Sequence, residues 1–224
     1  MAEVKRPDLK FMGDTKTAGG TFGNVKMTGN SAFSGDVDCL KLTQIGELDV
    51  QGSLRAKEFK LTGECETGGR LDAGVVGGRG EIRCGSGIRG ERIDFTGSIR
   101  ANGDVEADSL ELDGAIYVAG LLGADSLDVK MYGPCRAKEI GGTRIRLRRS
   151  RATKLMNLAN VKEDAVFQAE QIEGDTVELE HASVGVVRGN RVKLGPGCRI
   201  GRVEYRDELN VHAGAAVKET VKRS

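Results

Sequence analysis

Glycine and apolar residues recur in the first half of this sequence at intervals of seventeen residues. Between the glycines, apolar residues occupy every second position, which is the period of a β-strand. A repeat this short cannot bury its own apolar face, so neighbouring copies must stack and share one core. The pattern therefore predicts a β-solenoid. The repeated glycines are Gly29, Gly46, Gly63, Gly80, Gly97 and Gly114, and the two clearest apolar columns are Val25, Leu42, Phe59, Val76, Ile93, Leu110 and Val37, Leu54, Leu71, Ile88, Val105, Leu122.

Each repeat contains three runs of period two, which predicts a three-sided coil. Two corners carry glycine, which bends the chain where a Cβ would be penalised, and at the third corner the spacing changes from two to three. Left-handed hexapeptide helices use sides of six residues throughout, and a seventeen-residue coil with one short side does not fit them. Because parallel crossovers are usually right-handed, we expect an all-β fold, a right-handed parallel β-helix with a triangular cross-section and about 17 residues per coil.

The periodicity also predicts how the chain is divided. We expect a flexible N-terminal arm over residues 1–22, a regular β-helix block over 23–142 and a basic, irregular insert over 143–165. Period two then returns with offsets of fifteen or sixteen residues, which predicts a second β-helical block over 166–213. Residues 214–224 are left as a C-terminal tail.

Composition narrows the possible partners. The 224 residues include 34 basic and 33 acidic side chains, for a net charge of +1. This balance gives no long-range field for a polyphosphate, so no nucleic-acid partner is expected. No apolar run approaches the ~20 residues that span a bilayer, and the start MAEVKRPDLK lacks the apolar core of a signal peptide. We therefore expect a cytoplasmic protein.

The five cysteines are odd in number and show no C-x-x-C pair, a pattern that disfavours a disulfide framework or a zinc site. Cys39, Cys65 and Cys84 fall in predicted core columns, where a reduced thiol packs as a small hydrophobe. We expect no metal and no cofactor. An enzyme is not expected either, because short uniform coils leave no long loops to build a cleft.

The quoted repeats resemble a known family. The segments VKMTGNSAFSGDV, LKLTQIGELDVQGSL and LELDGAIYVAGLL, followed by VVRGNRVKLGPGCRIGRVEY, are similar to bactofilins of the longer firmicute type, over about residues 13–210. The resemblance implies a triangular β-helix that polymerises end to end without nucleotide into filaments that lack polarity. It also implies a membrane-associated scaffold that recruits envelope, shape or motility proteins. The basic insert and the second repeat block depart from the shorter bactofilins.

Polymerisation of a solenoid needs only terminal coils with unpaired strands and apolar rims, so the chain itself is the expected partner. The candidates for these rims are Phe22, Val25, Met27 and Phe33 at the N-terminal end, and Val203, Tyr205, Leu209, Val211 and Val217 at the C-terminal end.

The insert combines basic and apolar residues, which suits the anionic inner face of the cell membrane. A solvated loop whose leucines fold back onto the helix is the alternative interpretation. The candidate membrane contacts are Arg144, Arg146, Arg148, Arg149, Arg151, Lys154, Leu155, Met156 and Leu158.

Acidic residues stack like on like in one outward column of the predicted coil. Glu47, Glu64 and Glu81 follow at the repeat interval, with Asp49 and Glu66 beside them. Such a column costs stability unless a cation or a basic partner lies there, although long side chains can also splay apart. The alternative function is therefore a non-polymerising β-helical adaptor that binds partners through this acidic strip and the basic insert.

Overall fold

The computed structural model describes residues 6–150 and 165–223 and places them in parallel β-strands stacked turn upon turn, with no helix in these two ranges. The predicted all-β parallel solenoid with about 17 residues per turn is confirmed. The chain divides into two compact units, Met1–Gly103 and Asp104–Ser224.

The first unit contains seven strands, and each of the five long ones makes most of one turn. They follow the order β1-β3-β4-β5-β6-β7, with β2 beside β3, and from β3 to β7 each residue lies next to the residue seventeen positions on. The strands are β1 (Leu9–Met12), β2 (Thr15–Thr17), β3 (Gly20–Phe33), β4 (Val37–Val50), β5 (Leu54–Thr67), β6 (Leu71–Cys84) and β7 (Ile88–Ala101).

Burial along one strand shows the three runs that the sequence predicts. In β4 the buried residues include Val37 and Cys39 in the first run, Leu42 in the second and Leu48 in the third. The spacing of buried residues changes from two to three between Cys39 and Leu42, and the third run follows the corner at Gly46. Because parallel strands in register keep their side chains on the same face, each turn of the first unit adds a layer to the apolar core of that unit.

The corner glycines lie directly over one another. Gly29, Gly46 and Gly63 are register partners and have φ values of 107°, 112° and 129°, a region that other residues rarely adopt. Buried Gln44 holds this corner, because its Nε2 donates to the carbonyl oxygens of Gly29 at 2.7 Å and Glu47 at 2.8 Å.

The N-terminal segment differs from the expected flexible arm. Strand β1 pairs with Val25–Thr28, and β2 pairs with Ser31–Phe33. Both strands lie sixteen residues before their partners instead of seventeen, so the seventeen-residue spacing does not detect them. The solenoid therefore begins by Leu9.

The second unit contains six strands in the order β8-β9-β10-β11-β12-β13. Its turns vary in length: β10 and β11 pair at an offset of fifteen residues, and the pairing of β11 with β12 shifts register between Gly189 and Arg191. The strands are β8 (Val105–Met131), β9 (Cys135–Arg149), β10 (Phe167–Leu179), β11 (Ala182–Leu194), β12 (Arg199–Val211) and β13 (Ala216–Lys222).

Two further boundaries differ from expectation. The first seven residues of the predicted irregular insert, 143–149, belong to β9, where Ile145 and Leu147 are fully buried between outward-facing arginines. Residues 151–164 of the insert lie outside the described residues. The predicted tail contains β13, which pairs in register with β12.

All five cysteines are free and buried, as the core interpretation predicts for Cys39, Cys65 and Cys84. Burial raises the pKa of the Cys39 thiol to about 12 and that of Cys135 to about 11. These two thiols therefore stay protonated and unreactive near neutral pH.

In the part of the chain that the structure describes, no helix is long and apolar enough to cross a membrane.

Replacing a corner glycine tests the stacking directly. At Gly63, with φ of 129°, an added Cβ would press against the carbonyl oxygen of Gly46. We expect Gly63→Ala to lower the free energy of unfolding by about 3 kcal/mol or more, since strain and overlap act together. Gly35→Ala is the matched control, because its Cβ would meet only atoms of Gly19 at 3.8 Å. Thermal unfolding of both variants, followed by circular dichroism, measures the difference; equal melting temperatures would contradict it.

Candidate docking edges of the solenoid

The N-terminal edge is formed by β1 and β2. Both strands pair with β3 on one side, and among the described residues no strand pairs with their other side. Leu9 and Phe11 point toward the core and are half-buried, while Met12 is 81% exposed. The edge thus presents unpaired backbone groups beside apolar side chains.

The predicted N-terminal rim lies mostly one turn inside this edge. Val25, Met27 and Phe33 are fully buried, because β1 and β2 cover them. Phe22 is half-buried and lies near the beginning of β3, in the part of the strand that pairs with β4. The centroid of its ring is 6.0 Å from that of the Phe33 ring. Of the four predicted residues, Phe22 alone remains close to the edge.

The C-terminal edge has the form of a step. Strand β13 covers β12 over Arg199–Tyr205, and the rest of β12, through Val211, pairs only with β11 among the described residues. Val211 is 43% exposed, and Leu209 and Val217 are half-buried. These three predicted rim residues therefore lie at the edge.

The other two predicted C-terminal residues lie beneath β13. Val203 is fully buried and pairs with Thr220, so it belongs to the core rather than to the rim. Tyr205 pairs with Lys222 and is half-buried.

A buried carboxylate fastens β13 to the strands before it. Glu204 is 4% exposed and accepts a hydrogen bond from Arg188 Nε at 3.0 Å. Its carboxylate also forms ion pairs with Arg223, at the end of β13, and with Arg202 Nε at 2.9 Å. Burial opposes ionisation of Glu204, but the three guanidinium groups together hold its pKa below the ordinary value. The cluster was missed in the sequence, because its members come from three different turns.

The acidic strip lies on a lateral face of the first unit. Glu47, Glu64 and Glu81 are register partners, as predicted. Glu47 and Glu64 line an open groove of about 650 Å³, together with Asp49 and Glu66. Like charges in adjacent strands repel one another.

The chain itself supplies part of the compensation for this repulsion. Arg83 Nη2 lies 2.6 Å from Glu81, and Arg83 Nη1 lies 3.4 Å from Glu64. Glu81 raises the pKa of the Arg83 guanidinium. Arg83 stands in the column of Asp49 and Glu66, so the repeat interval was the signal that could have revealed it.

The basic residues of β9 are partly neutralised. Arg146 Nη1 and Arg148 Nη2 lie 3.4 and 2.9 Å from Asp128, and Arg146 Nε lies 3.5 Å from Glu178. Arg144 is exposed and Arg149 is half-buried. The other predicted membrane contacts, Arg151, Lys154, Leu155, Met156 and Leu158, lie outside the described residues.

Within the described ranges, no group of three or more His, Cys, Asp or Glu side chains is arranged to hold a metal ion.

Two relatives from Bacillus subtilis (strain 168) match part of the chain, and both carry the name of an uncharacterised protein. YhbF is 39% identical over 85 residues, which cover 38% of this chain and 34% of YhbF. YhbE is 33% identical over 90 residues, which cover 40% of this chain and 37% of YhbE. The match therefore spans about a third of each relative. No family model matches the chain. No solved structure matches it either.

Removing the charge of Glu204 should loosen β13. Glu204→Gln leaves three guanidinium groups without their carboxylate, and we expect a loss of about 1–3 kcal/mol in the local stability of β13. Amide hydrogen exchange in Ala216–Lys222 should then accelerate about five-fold or more. Glu219→Gln is the control, because Glu219 is exposed and lies 3.7 Å from Arg202. Unchanged exchange in Glu204→Gln would contradict the fastening role.

The same cluster predicts a pH dependence. The pKa of Glu204 in the folded chain lies below the ordinary 4.5. Its contribution is therefore fully present above that value and is lost as the pH falls through the folded pKa.

Proposed function

We propose that this protein is a self-assembling scaffold whose solenoids stack end to end without nucleotide. One observation carries the proposal: β1 and β2 in the first unit, and β12 and β13 in the second, present strand edges whose outer sides have no strand partner among the described residues. An exposed strand edge is a template for pairing with another chain. Leu9, Phe11 and Val211 border these edges and supply apolar surface.

The lateral faces support assembly through the ends rather than the sides. Ion pairs between turns lie on these faces, for example Lys41 with Glu58 at 3.0 Å and Lys130 with Asp113 at 2.8 Å. Charged side chains along the sides keep neighbouring solenoids apart, whereas the ends combine apolar rims with open backbone groups.

The resemblance to bactofilins supports the same proposal, since that family polymerises without nucleotide. The two relatives are named as uncharacterised and add no function of their own. On the strength of the resemblance, we propose a structural rather than catalytic role, with envelope, shape or motility proteins as the recruited partners.

Membrane association is the second part of the proposal. Arg144 is exposed on β9, and the chain continues from this strand into further basic and apolar residues. Basic side chains contribute about 1 kcal/mol each beside anionic headgroups. Arg146 and Arg148 contribute less, because Asp128 already pairs with both. We place the protein in the cytoplasm, at the inner face of the cell membrane.

The alternative function is an adaptor that does not polymerise. The open acidic groove favours it, because no ion pair within the described ranges involves Glu47, Asp49 or Glu66. A basic peptide is the partner that these carboxylates suit.

Charging the C-terminal rim should prevent polymerisation. Val211 is 43% exposed at the edge and Val75 is 39% exposed on a lateral face, so Val211→Lys and Val75→Lys make a matched pair. We expect wild type and Val75→Lys to form filaments in negative stain and to pellet with or without ATP or GTP. Val211→Lys should remain in the supernatant at concentrations at least ten-fold higher.

Two results would contradict the scaffold. One is wild-type protein that stays monomeric at every concentration tested, which favours the adaptor. The other is filament formation by Val211→Lys equal to that of Val75→Lys, which would exclude the C-terminal rim as a contact.

Binding to anionic vesicles tests the membrane association. The triple variant Arg144→Glu, Arg151→Glu, Lys154→Glu reverses the charge of exposed Arg144 and of two basic residues of the insert that lie outside the described residues. We expect co-sedimentation with vesicles containing phosphatidylserine to fall at least ten-fold, while vesicles of phosphatidylcholine bind neither protein. Arg92→Glu, on a lateral face of the first unit, is the control. Undiminished pelleting of the triple variant would eliminate the membrane contact.

A further inference from the structure

Strand β13 covers only part of the edge that β12 presents. It pairs with Arg199–Tyr205, while the rest of β12 through Val211 pairs only with β11 among the described residues. Two apolar core residues lie beneath β13, since Ile200 is 2% exposed and Val203 is fully buried. Strand β13 therefore shields core side chains as well as backbone groups of β12.

The side chains of β13 are those of a strand that ends a sheet. One core column of the second unit is apolar in four successive turns and then reaches Thr220 in β13. Its four apolar members are Ile140, Ile172, Val187 and Val203. Along the same strand, Lys218, Glu219 and Lys222 are exposed. Charged side chains on an edge strand, lysine above all, discourage the pairing of a further strand.

Polar contacts hold β13 more than burial does. None of the seven residues of Ala216–Lys222 is buried. Beyond the backbone pairing, Arg223 at the end of the strand forms an ion pair with buried Glu204. A second ion pair joins Glu219 to Arg202 at 3.7 Å. A segment with so little burial opens locally at a lower free energy than the core does.

The topology allows β13 to open alone. It is the last strand, and β12 is its one strand partner among the described residues. Residues 212–215 connect the two strands, and three of these four residues are exposed. Release of β13 would therefore leave the pairing of β11 with β12 intact.

From these observations, and resting on the proposed end-to-end assembly, we propose that β13 is a releasable cap that restricts self-association. The ion pair between Glu204 and Arg223 keeps the cap closed. While it is closed, a second copy meets only the step at Leu209 and Val211. When it opens, all thirteen residues of Arg199–Val211 offer backbone groups to the second copy, and the two core residues beneath the cap become accessible.

Such a cap sets the protein concentration that assembly requires. When a binding surface is available in only a fraction of the molecules, the apparent affinity falls by that fraction. A change that opens β13 more often should therefore lower the concentration at which filaments form, by about the same factor as long as the open form remains the minority. The local stability of β13 would thus regulate the amount of filament.

Weakening the ion pair should promote assembly. We expect Glu204→Gln to form filaments at a concentration about five-fold lower than wild type, because Arg223 loses the carboxylate that holds the cap closed. Sedimentation and negative stain measure this concentration, and amide exchange in Ala216–Lys222 should accelerate by a similar factor. Glu219→Gln is the control, since it removes only the longer, exposed ion pair with Arg202 and should change both readouts far less.

A disulfide that holds the cap closed tests the inference in the opposite direction. Arg202 and Glu219 are register partners, so the double variant Arg202→Cys, Glu219→Cys places two thiols on strands about 4.8 Å apart, within the Cα separation of a disulfide. The oxidised variant should require a concentration at least about five-fold higher to form filaments than the same protein after reduction. Wild type under both conditions is the control, because its five native thiols are buried.

Each outcome has a distinct meaning. Equal filament concentrations for the oxidised and reduced variant would overturn the cap and leave the scaffold intact. A lower concentration for the oxidised form would also overturn it, since β13 would then belong to the contact. Amorphous aggregates of Glu204→Gln in place of filaments would contradict a cap over an assembly surface. Failure of wild type and all variants to assemble at any concentration would instead overturn the proposed function.

Discussion

The hydrogen bonds between one turn and the next are the interaction on which the rest of this structure depends. Ordering the backbone of a single turn costs about 1–2 kcal/mol of conformational free energy per residue. Burial of the few inward side chains of that turn does not offset this cost on its own. The neighbouring turn supplies both the backbone partners and the rest of the core. Register is therefore critical, since a slip of one residue would turn every inward side chain outward. The stacked glycines at Gly29, Gly46 and Gly63 place the same corner at the same point in each turn.

The same interaction leads from fold to function. A parallel ladder never closes on itself, so the first and last turns keep open edges however many turns lie between them. The lateral faces of the two units carry ion pairs between turns, and exposed Met12 and Val211 lie beside the edges. In the proposed assembly, another copy would extend the interaction that already holds the chain together, and this would require no catalytic group.

Much of the fold could be predicted from spacing alone, because glycine corners and alternating apolar residues repeat at a fixed interval between Val25 and Gly123. The prediction failed where the interval changed: β1 and β2 lie sixteen residues before their partners. In β9 the arginines obscured the alternation of Ile145 and Leu147. The N-terminal rim was predicted one turn too far inside for the same reason. The Glu204 cluster could not be predicted, because its pairs depend on a register that shifts within β11 and β12.

The order in which the strands pair also affects how the chain folds during its synthesis. Within each unit, every long strand pairs with the strand next to it in the sequence, so a nascent chain needs only the turn already formed as a template for the next. Folding can advance row by row during translation, from Leu9 onward. The growing front is always an open strand edge, which is also the feature by which finished molecules would recognise one another. Partly folded chains on neighbouring ribosomes of one messenger RNA would therefore expose strand edges that can pair with one another. Rapid addition of the next turn covers each edge and limits this aggregation.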